Sequence, residues 1–277
     1  MMNEIDPLYK NLIGRDQELK ELLEAFQESK HILILGGNGV GKTTLVESFA
    51  QEITKTSPHR KFVFCSADKG FKDVCLSLLD QLGDLGYLEK VPEPLRKSLS
   101  SKGNPAQLFS KQSVTILKNI VLANAQGRGL VFVFDRLPKL KRKFYLFLEN
   151  LKDCARLVII PQNGTKNEMG RLWMVLWGFH QINLKPLKTH DMKRLLIGWI
   201  AEHPGLGGDN SVWIDEMVRA AHGNPGILRA LTDEVVKQGD CHGAPKNVHL
   251  ADIDRKITAF IKGSHGAVKP SRERVTS

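Results

Sequence analysis

The chain has 277 residues, 42% of them hydrophobic and 25% charged, which is the ordinary composition of a globular protein of one or two domains. No apolar run reaches the roughly 18 residues of a membrane-spanning segment, so we expect no transmembrane helix. The N-terminus is acidic and no apolar segment follows it, which predicts a cytoplasmic protein without a signal peptide. The formal net charge of +10 favours a polyanionic partner.

The first two thirds of the sequence alternate between short apolar runs and amphipathic segments. The predicted order is helix 15–27, strand 31–35, helix 42–53, strand 61–65, helix 71–82, an exposed loop or insertion at 83–105, helix 106–124, strand 130–134, helix 144–151, strand 157–160 and strand 179–184. Uniformly apolar strands that alternate with helices are typical of a parallel sheet covered on both faces. We therefore predict an α/β domain over residues 1–185, with a five-stranded parallel sheet.

The pattern changes after Pro186, where only helical periodicity remains. Helices are predicted at 191–202, 211–221, 227–238 and 250–261. These segments indicate a small all-α domain over residues 186–261. The basic tail, 262–277, is expected to be disordered.

A glycine-rich loop connects the first predicted strand to the next helix and fits the pattern G-x-x-x-x-G-K-[ST]. Its residues are Gly36, Gly37, Asn38, Gly39, Val40, Gly41, Lys42 and Thr43, with Thr44 following. Glycines let backbone N–H groups turn towards a phosphate, and the helix N-terminus favours the same anion. A turn without function is the alternative, but the strand before and the helix after the loop favour a P-loop. We expect the loop to bind ATP, with Lys42 on the β- and γ-phosphates and Thr43 on Mg²⁺.

Asp135 directly follows the third apolar strand, where a P-loop enzyme needs a carboxylate for Mg²⁺. An ordinary aspartate at a strand end is the alternative. The next residue is Arg136, whereas many P-loop ATPases have a water-orienting glutamate there. The base therefore comes from elsewhere, with Asp68 and Glu47 as candidates, or hydrolysis is slow, or ATP is bound without turnover.

Residues 13–19, Ile-Gly-Arg-Asp-Gln-Glu-Leu, look like the box that precedes the P-loop in origin-recognition-like AAA+ ATPases and in STAND NTPases. Together with the P-loop and the extra strand before Asp135, the chain resembles these families over about residues 11–240. The resemblance implies ATP and Mg²⁺ as cofactors and places Gly14 and Arg15 near the adenine. The absence of a guanine-reading N-K-x-D element also fits ATP.

The same resemblance implies roles for residues further along the chain. Asn163, or alternatively Gln162, would sense the γ-phosphate after the fourth strand. Residues 186–261 would form the lid, with Pro225 of the Gly-Asn-Pro turn packed on the base. Arg229 is the candidate for a lid arginine, because Gly226 stands where such an arginine often occurs.

No arginine finger is assigned by the pattern, although Arg171 and Arg156 lie in the region where one is found. An arginine that acts in trans requires an oligomer, so a homo-oligomer in the ATP state is expected.

The basic residues are concentrated between Lys90 and Lys143. This segment has twelve basic and two acidic residues, and the difference equals the net excess of the whole chain. DNA is the predicted partner, through the 90–111 segment and through Lys139, Lys141, Arg142 and Lys143. A solvated face and a membrane surface are the alternatives for this charge.

Three functions remain open from the sequence. The first is a DNA-associated ATPase switch, the second is a STAND-like switch with a protein partner, and the third is an ATP-binding scaffold with little turnover.

Overall fold

The computed structural model describes residues 12–66, 70–100, 105–137, 142–162, 172–201 and 211–237. The chain divides into two compact units, with the boundary between Lys185 and Pro186. Within the described ranges, every helix is too short or too polar to cross a membrane.

The first unit alternates between strands and helices. In chain order it contains α1 (Asp16–Gln27), β1 (Ile32–Gly36), α2 (Lys42–Thr56), β2 (Lys61–Ser66), α3 (Phe71–Asp84), α4 (Glu93–Ser100), α5 (Pro105–Ser110), α6 (Val114–Ala125), β3 (Leu130–Leu137), α7 (Arg142–Cys154), β4 (Arg156–Pro161), α8 (Leu172–Val175) and β5 (His180–Leu184).

The five strands form one sheet in the order β2-β3-β4-β1-β5, and every neighbouring pair is parallel. The predicted fold class is therefore confirmed. Because the strands are parallel, all their carboxyl ends lie at one end of the sheet, which we call the carboxyl end. The opposite end, where the strands begin, is the amino end.

Each face of the sheet is covered by helices, and the two strand faces pack into different cores. On β3, Val131 and Val133 pack into the core that includes α1 and α2. Leu130, Phe132 and Phe134 pack into the core that includes α3, α6 and α7. This alternation follows from the period of two along a strand, which sends successive side chains to opposite faces.

Two helix predictions were wrong in detail. Residues 93–100 form α4, although the sequence predicted a loop or insertion over 83–105. Proline is tolerated in the first turn of a helix, where its missing N–H would have no partner. The predicted helix 106–124 is two helices, because the Ser113 side chain accepts a hydrogen bond from the Ile116 N–H and begins α6 anew.

The described part of the second unit contains α9 (Thr189–Ala201), α10 (Ser211–Ala221) and α11 (Pro225–Lys237). Buried apolar side chains of these helices include Leu196, Met217 and Leu231. The predicted helix 250–261 and the tail 262–277 lie outside the described residues.

Candidate functional site

The P-loop lies between β1 and α2 at the carboxyl end of the sheet. Three of its glycines have positive φ angles: Gly36 at 143°, Gly39 at 79° and Gly41 at 95°. A Cβ on Gly36 would meet the Leu184 carbonyl oxygen at 2.8 Å, which leaves no room for a side chain. The loop conformation is therefore one that only glycine adopts readily at these positions.

Lys42 and Thr43 begin α2, directly after the loop. The Lys42 ammonium donates to the Gly36 carbonyl at 2.9 Å and to the Gly37 carbonyl at 2.8 Å. Burial lowers the pKa of Lys42, while the nearby Asp135 carboxylate opposes that shift. The cation is thus held inside the curve of the loop, at the N-terminal end of α2. Both the lysine charge and the free N–H groups of the helix start favour an anion there.

Asp135 and Thr43 come together from positions 92 residues apart. The Thr43 hydroxyl donates to Asp135 Oδ2 at 2.8 Å. The two residues that the sequence predicted for the metal are therefore neighbours, on α2 and β3.

A bulge in β3 aims Asp135. Phe134 pairs with Ile159 but Leu137 pairs with Pro161, so one extra residue of β3 lies between these pairs. Arg136 takes the left-handed conformation there, with a φ of 54°, and its N–H donates to Asp135 Oδ1 at 2.8 Å. Both carboxylate oxygens of Asp135 are thus held by hydrogen bonds.

Arg15 makes a connection that the sequence did not predict. Its buried guanidinium donates to the Val40 carbonyl of the P-loop at 3.0 Å and to the Lys185 carbonyl after β5 at 2.7 Å, and it pairs with Glu18 at 2.8 Å. The sequence signal for this link was the box at residues 13–19, for which the resemblance implied only proximity to adenine. The structure shows that the box also buttresses the P-loop.

The residues present fit a magnesium nucleotide. Hydroxyl and carboxylate oxygens are the ligands that Mg²⁺ prefers. Thr43 supplies a hydroxyl oxygen and Asp135 a carboxylate oxygen, and these two oxygens are 2.8 Å apart. Lys42 and the N–H groups at the start of α2 suit the phosphates. Bound Mg²⁺ would neutralise charge on the phosphate oxygens.

The remaining predicted residues of the first unit are distributed as follows. Gly14 has a positive φ of 72° and precedes α1, and Asn38 and Thr44 lie in the loop and in the first turn of α2. Gln162 follows β4, where its N–H donates to the Leu137 carbonyl at 2.9 Å. Lys139, Lys141, Asn163, Asp68 and Arg171 lie outside the described residues.

Two further candidates have contacts in other parts of the first unit. Glu47 lines an open groove together with Phe62 and Phe64. Arg156 begins β4 at the amino end, where its charge acts on His31.

The Gly-Asn-Pro turn has a defined structure within the second unit. Gly223 has a φ of 73°, and a Cβ there would meet the Leu187 carbonyl oxygen at 2.6 Å. The Asn224 side chain accepts from the Ile227 N–H at 3.2 Å, and Pro225 is the first residue of α11. The Arg229 guanidinium lies 5.7 Å from the Trp199 ring centroid, a cation–π contact inside the same unit.

A family model of the AAA ATPase domain matches residues 11–160, which include the box at residues 13–19, the P-loop and Asp135. The chain belongs to this AAA ATPase family. Membership makes it a nucleotide-binding protein of the AAA+ type and agrees with the resemblance seen in the sequence. No curated protein sequence matches the chain significantly.

Solved structures with the same fold include two archaeal proteins and one bacterial protein. The Aeropyrum pernix ORC1 protein, solved in complex with DNA, matches with a TM-score of 0.68 and 14% identity, over 95% of this chain and 71% of its own. Domain III of the Thermotoga maritima replication initiation protein DnaA matches with a TM-score of 0.56 and 17% identity, over 93% of this chain and 99% of its own. Cdc6p from Pyrobaculum aerophilum matches with a TM-score of 0.54 and 14% identity, over 82% of this chain and 63% of its own. At these identities the matches show the fold.

Proposed function

We propose that this AAA+ ATPase is a switch that binds Mg·ATP and acts with DNA. The observation that carries the proposal is the combination, at one end of the sheet, of the P-loop site with a set of cations. This set, the carboxyl-end patch, consists of Lys72, Lys111, Arg136, Arg142 and Lys143.

Contacts between helix starts support a common location for the patch. The Phe71 ring at the start of α3 stacks on Phe144 at the start of α7, with centroids 4.7 Å apart. The Lys72 ammonium donates to the Ser110 carbonyl at 2.6 Å, which ties the end of α5 and the following Lys111 to the same place. Lysines and arginines on one surface bind phosphate backbones independently of sequence.

Among the described residues, the acids adjacent in sequence to patch cations are Asp73 and Asp135. Asp73 is exposed in the first turn of α3, whereas Asp135 is engaged with Thr43 and with the Arg136 N–H. The proposed DNA site thus keeps a positive balance. Two of the structures that share the fold support a DNA partner, because one is a complex with DNA and the other belongs to a replication initiation protein.

Arg136 affects the expected rate of ATP hydrolysis. It occupies the position after Asp135 where a glutamate would orient the attacking water, and a guanidinium cannot act as that base. We expect slow hydrolysis by the isolated chain. In the proposal, the ATP state assembles a homo-oligomer on DNA, and hydrolysis releases it.

The proposal is tested by duplex binding. A labelled DNA duplex is titrated with the protein in Mg·ATP and in Mg·ADP at several salt concentrations. We expect tighter binding with ATP, and a salt slope that falls by about 1 for each patch cation removed, as in Arg142→Ala and Lys111→Ala. Lys20→Ala is the matched control, because Lys20 is an exposed lysine on α1. Patch variants that bind as the control does would refute the DNA site.

A protein partner is the second candidate, and a specific observation favours it. Trp177 is 77% exposed and Met174 is 64% exposed, in one turn between β4 and β5 where the Trp177 N–H donates to the Met174 carbonyl at 3.4 Å. Large apolar side chains exposed together are typical of protein contacts. If every patch variant binds duplex DNA as the control does, and a protein that co-purifies with the unmodified chain is lost in Trp177→Ala, this function is favoured over the first.

A further inference from the structure

An open groove runs between α2 and the edge strand β2. It has a volume of about 490 Å³ and is lined mainly by apolar surface. Glu47, Lys55, Arg60, Lys61, Phe62 and Phe64 are among its lining residues. The P-loop site does not use this groove.

The apolar part of the groove is an aromatic pair, of which Phe64 is exposed and Phe62 is half-buried. The Phe62 and Phe64 rings lie on the same face of β2, with centroids 6.2 Å apart and planes 28° from parallel. Phe64 is 38% exposed, which is unusual for phenylalanine on a strand. Phe62 is anchored behind it, stacked on Phe26 at 6.4 Å and edge-on to Phe49 at 5.7 Å. The exposed Phe64 ring is thus backed by a packed aromatic ring.

The polar part of the groove is cationic. Three basic residues, Lys55, Arg60 and Lys61, face one acid, Glu47. Arg60 lies at the amino end of the sheet beside Arg156, whose pKa is lowered first by burial and then by the charge of Arg60. Among the described residues, no carboxylate forms an ion pair with either guanidinium. Two neighbouring guanidinium groups that form no ion pair with a carboxylate favour an anion.

The edge of β2 distinguishes between two kinds of occupant. A peptide could bind by adding a strand to this edge, using its free N–H and C=O groups. The Gln81 side chain of α3 already occupies those groups at Phe64, because its amide oxygen accepts from the Phe64 N–H at 2.9 Å and its amide nitrogen donates to the Phe64 carbonyl at 2.7 Å. Strand addition is therefore blocked at the centre of the groove, while the ring of Phe64 remains exposed.

We propose that the groove between α2 and β2 binds single-stranded DNA, with a base stacked on Phe64 and with phosphates held by Lys55, Arg60 and Lys61. Aromatic rings for stacking beside cations for the backbone are the general requirements for binding a single strand. The choice of DNA rather than RNA rests on the function proposed above. This site is distinct from the carboxyl-end patch, which is proposed to bind duplex DNA.

The test is fluorescence anisotropy of a labelled oligonucleotide of about 20 thymidines with the whole chain. Phe64→Ala should weaken binding about tenfold, and Phe64→Tyr should restore it, because stacking on the ring is what is lost. Lys61→Gln should lower the salt slope by about 0.7. Ile197→Ala is the matched control, because it removes a side chain that is 54% exposed on α9. Thermal unfolding of each variant separates a lost contact from a lost fold.

The outcomes separate the groove from the function on which it rests. If Phe64→Ala and Lys61→Gln bind the oligonucleotide as Ile197→Ala does, the groove proposal is overturned, whatever the duplex shows. If Arg142→Ala loses duplex affinity and keeps oligonucleotide affinity, the two sites are separate, as proposed. If a labelled peptide of alternating glutamate and phenylalanine binds in a Phe64-dependent way and the oligonucleotide does not, the groove takes acidic peptides and the proposal is wrong.

Discussion

The two ends of the same parallel sheet use their polar residues differently. At the carboxyl end, Lys42, Thr43 and Asp135 gather around backbone that is held in rarely adopted conformations. At the amino end, two contacts join neighbouring segments: His31 Nδ1 accepts from the Leu157 N–H at 3.1 Å, and Arg128 binds Glu89 at 2.7 Å. The carboxyl end therefore gathers charged and hydroxyl groups from distant segments into one binding site, whereas these two contacts at the amino end stabilise the fold.

The comparison predicts the largest effect at the P-loop backbone. Gly36→Ala should lower the free energy of unfolding by about 3 kcal/mol, because its φ is 143° and its Cβ would meet the Leu184 carbonyl oxygen at 2.8 Å. Gly37→Ala is the matched control, since its Cβ meets Val40 at an ordinary 3.6 Å. Urea denaturation measures both. Equal stability of the two variants would contradict the claim that position 36 excludes a side chain.

The next effect is expected at Arg15. Arg15→Ala should destabilise the protein by about 2 kcal/mol, because the Val40 and Lys185 carbonyls lose a charged donor. It should also weaken nucleotide binding, since Val40 belongs to the P-loop. Lys20→Ala, an exposed change on the same helix, is the control. Thermal unfolding and titration with labelled ATP check the two effects, and an Arg15→Ala protein that matches the control in both would contradict the buttressing role.

At Arg136, a glycine is expected to be more stabilising than an alanine. The φ of 54° there suits glycine, so Arg136→Gly should be about 1 kcal/mol more stable than Arg136→Ala. Both variants remove the same guanidinium, so the difference between their free energies of unfolding reports the backbone conformation alone. Chemical denaturation of the pair provides the measurement. An alanine variant as stable as the glycine variant would mean that the bulge relaxes and that Asp135 is not held by it.

The smallest effect is a pH dependence at the amino end. Burial, followed by the charges of Arg156 and Lys152, lowers the pKa of His31 from 6.5 to about 4. As the pH falls from 6.5 towards 4, the unfolded chain takes up a proton that the folded chain excludes, so stability falls over that window and is constant above it. The loss should be under about 1 kcal/mol at pH 5, because partial exposure screens the shift.

His31→Asn provides the control for this slope, because its side-chain oxygen can still accept from the Leu157 N–H but does not titrate. Denaturation midpoints at pH 7 and pH 5 should therefore differ less in His31→Asn than in the unmodified chain. The same difference in both proteins would assign the slope to other groups.

The P-loop was predictable because its conformation is encoded in the residues themselves. Glycines at 36, 39 and 41 allow positive φ angles, and the strand before and the helix after them are local patterns. The sheet followed from uniformly apolar runs, since strands covered on both faces need apolar residues at every position.

The features that the sequence did not predict depend on contacts between distant segments. The bulge at Arg136 arises from the register between β3 and β4, and Arg15 reaches partners 25 and 170 residues away. The helix α4 was missed because the Gly, Pro, Ser and Lys content of residues 83–105 suggested a loop, although its Pro94 is compatible with a first turn. Periodicity and composition contain none of this information.

The central claim is an ATP-driven switch that acts with DNA, and ATP turnover with and without duplex DNA tests it most directly. The account predicts slow turnover by the chain alone, stimulation by duplex, and loss of turnover in Lys42→Ala and in Asp135→Ala. The result that would contradict it is tight Mg·ATP binding, abolished in Lys42→Ala, with no turnover at any DNA concentration.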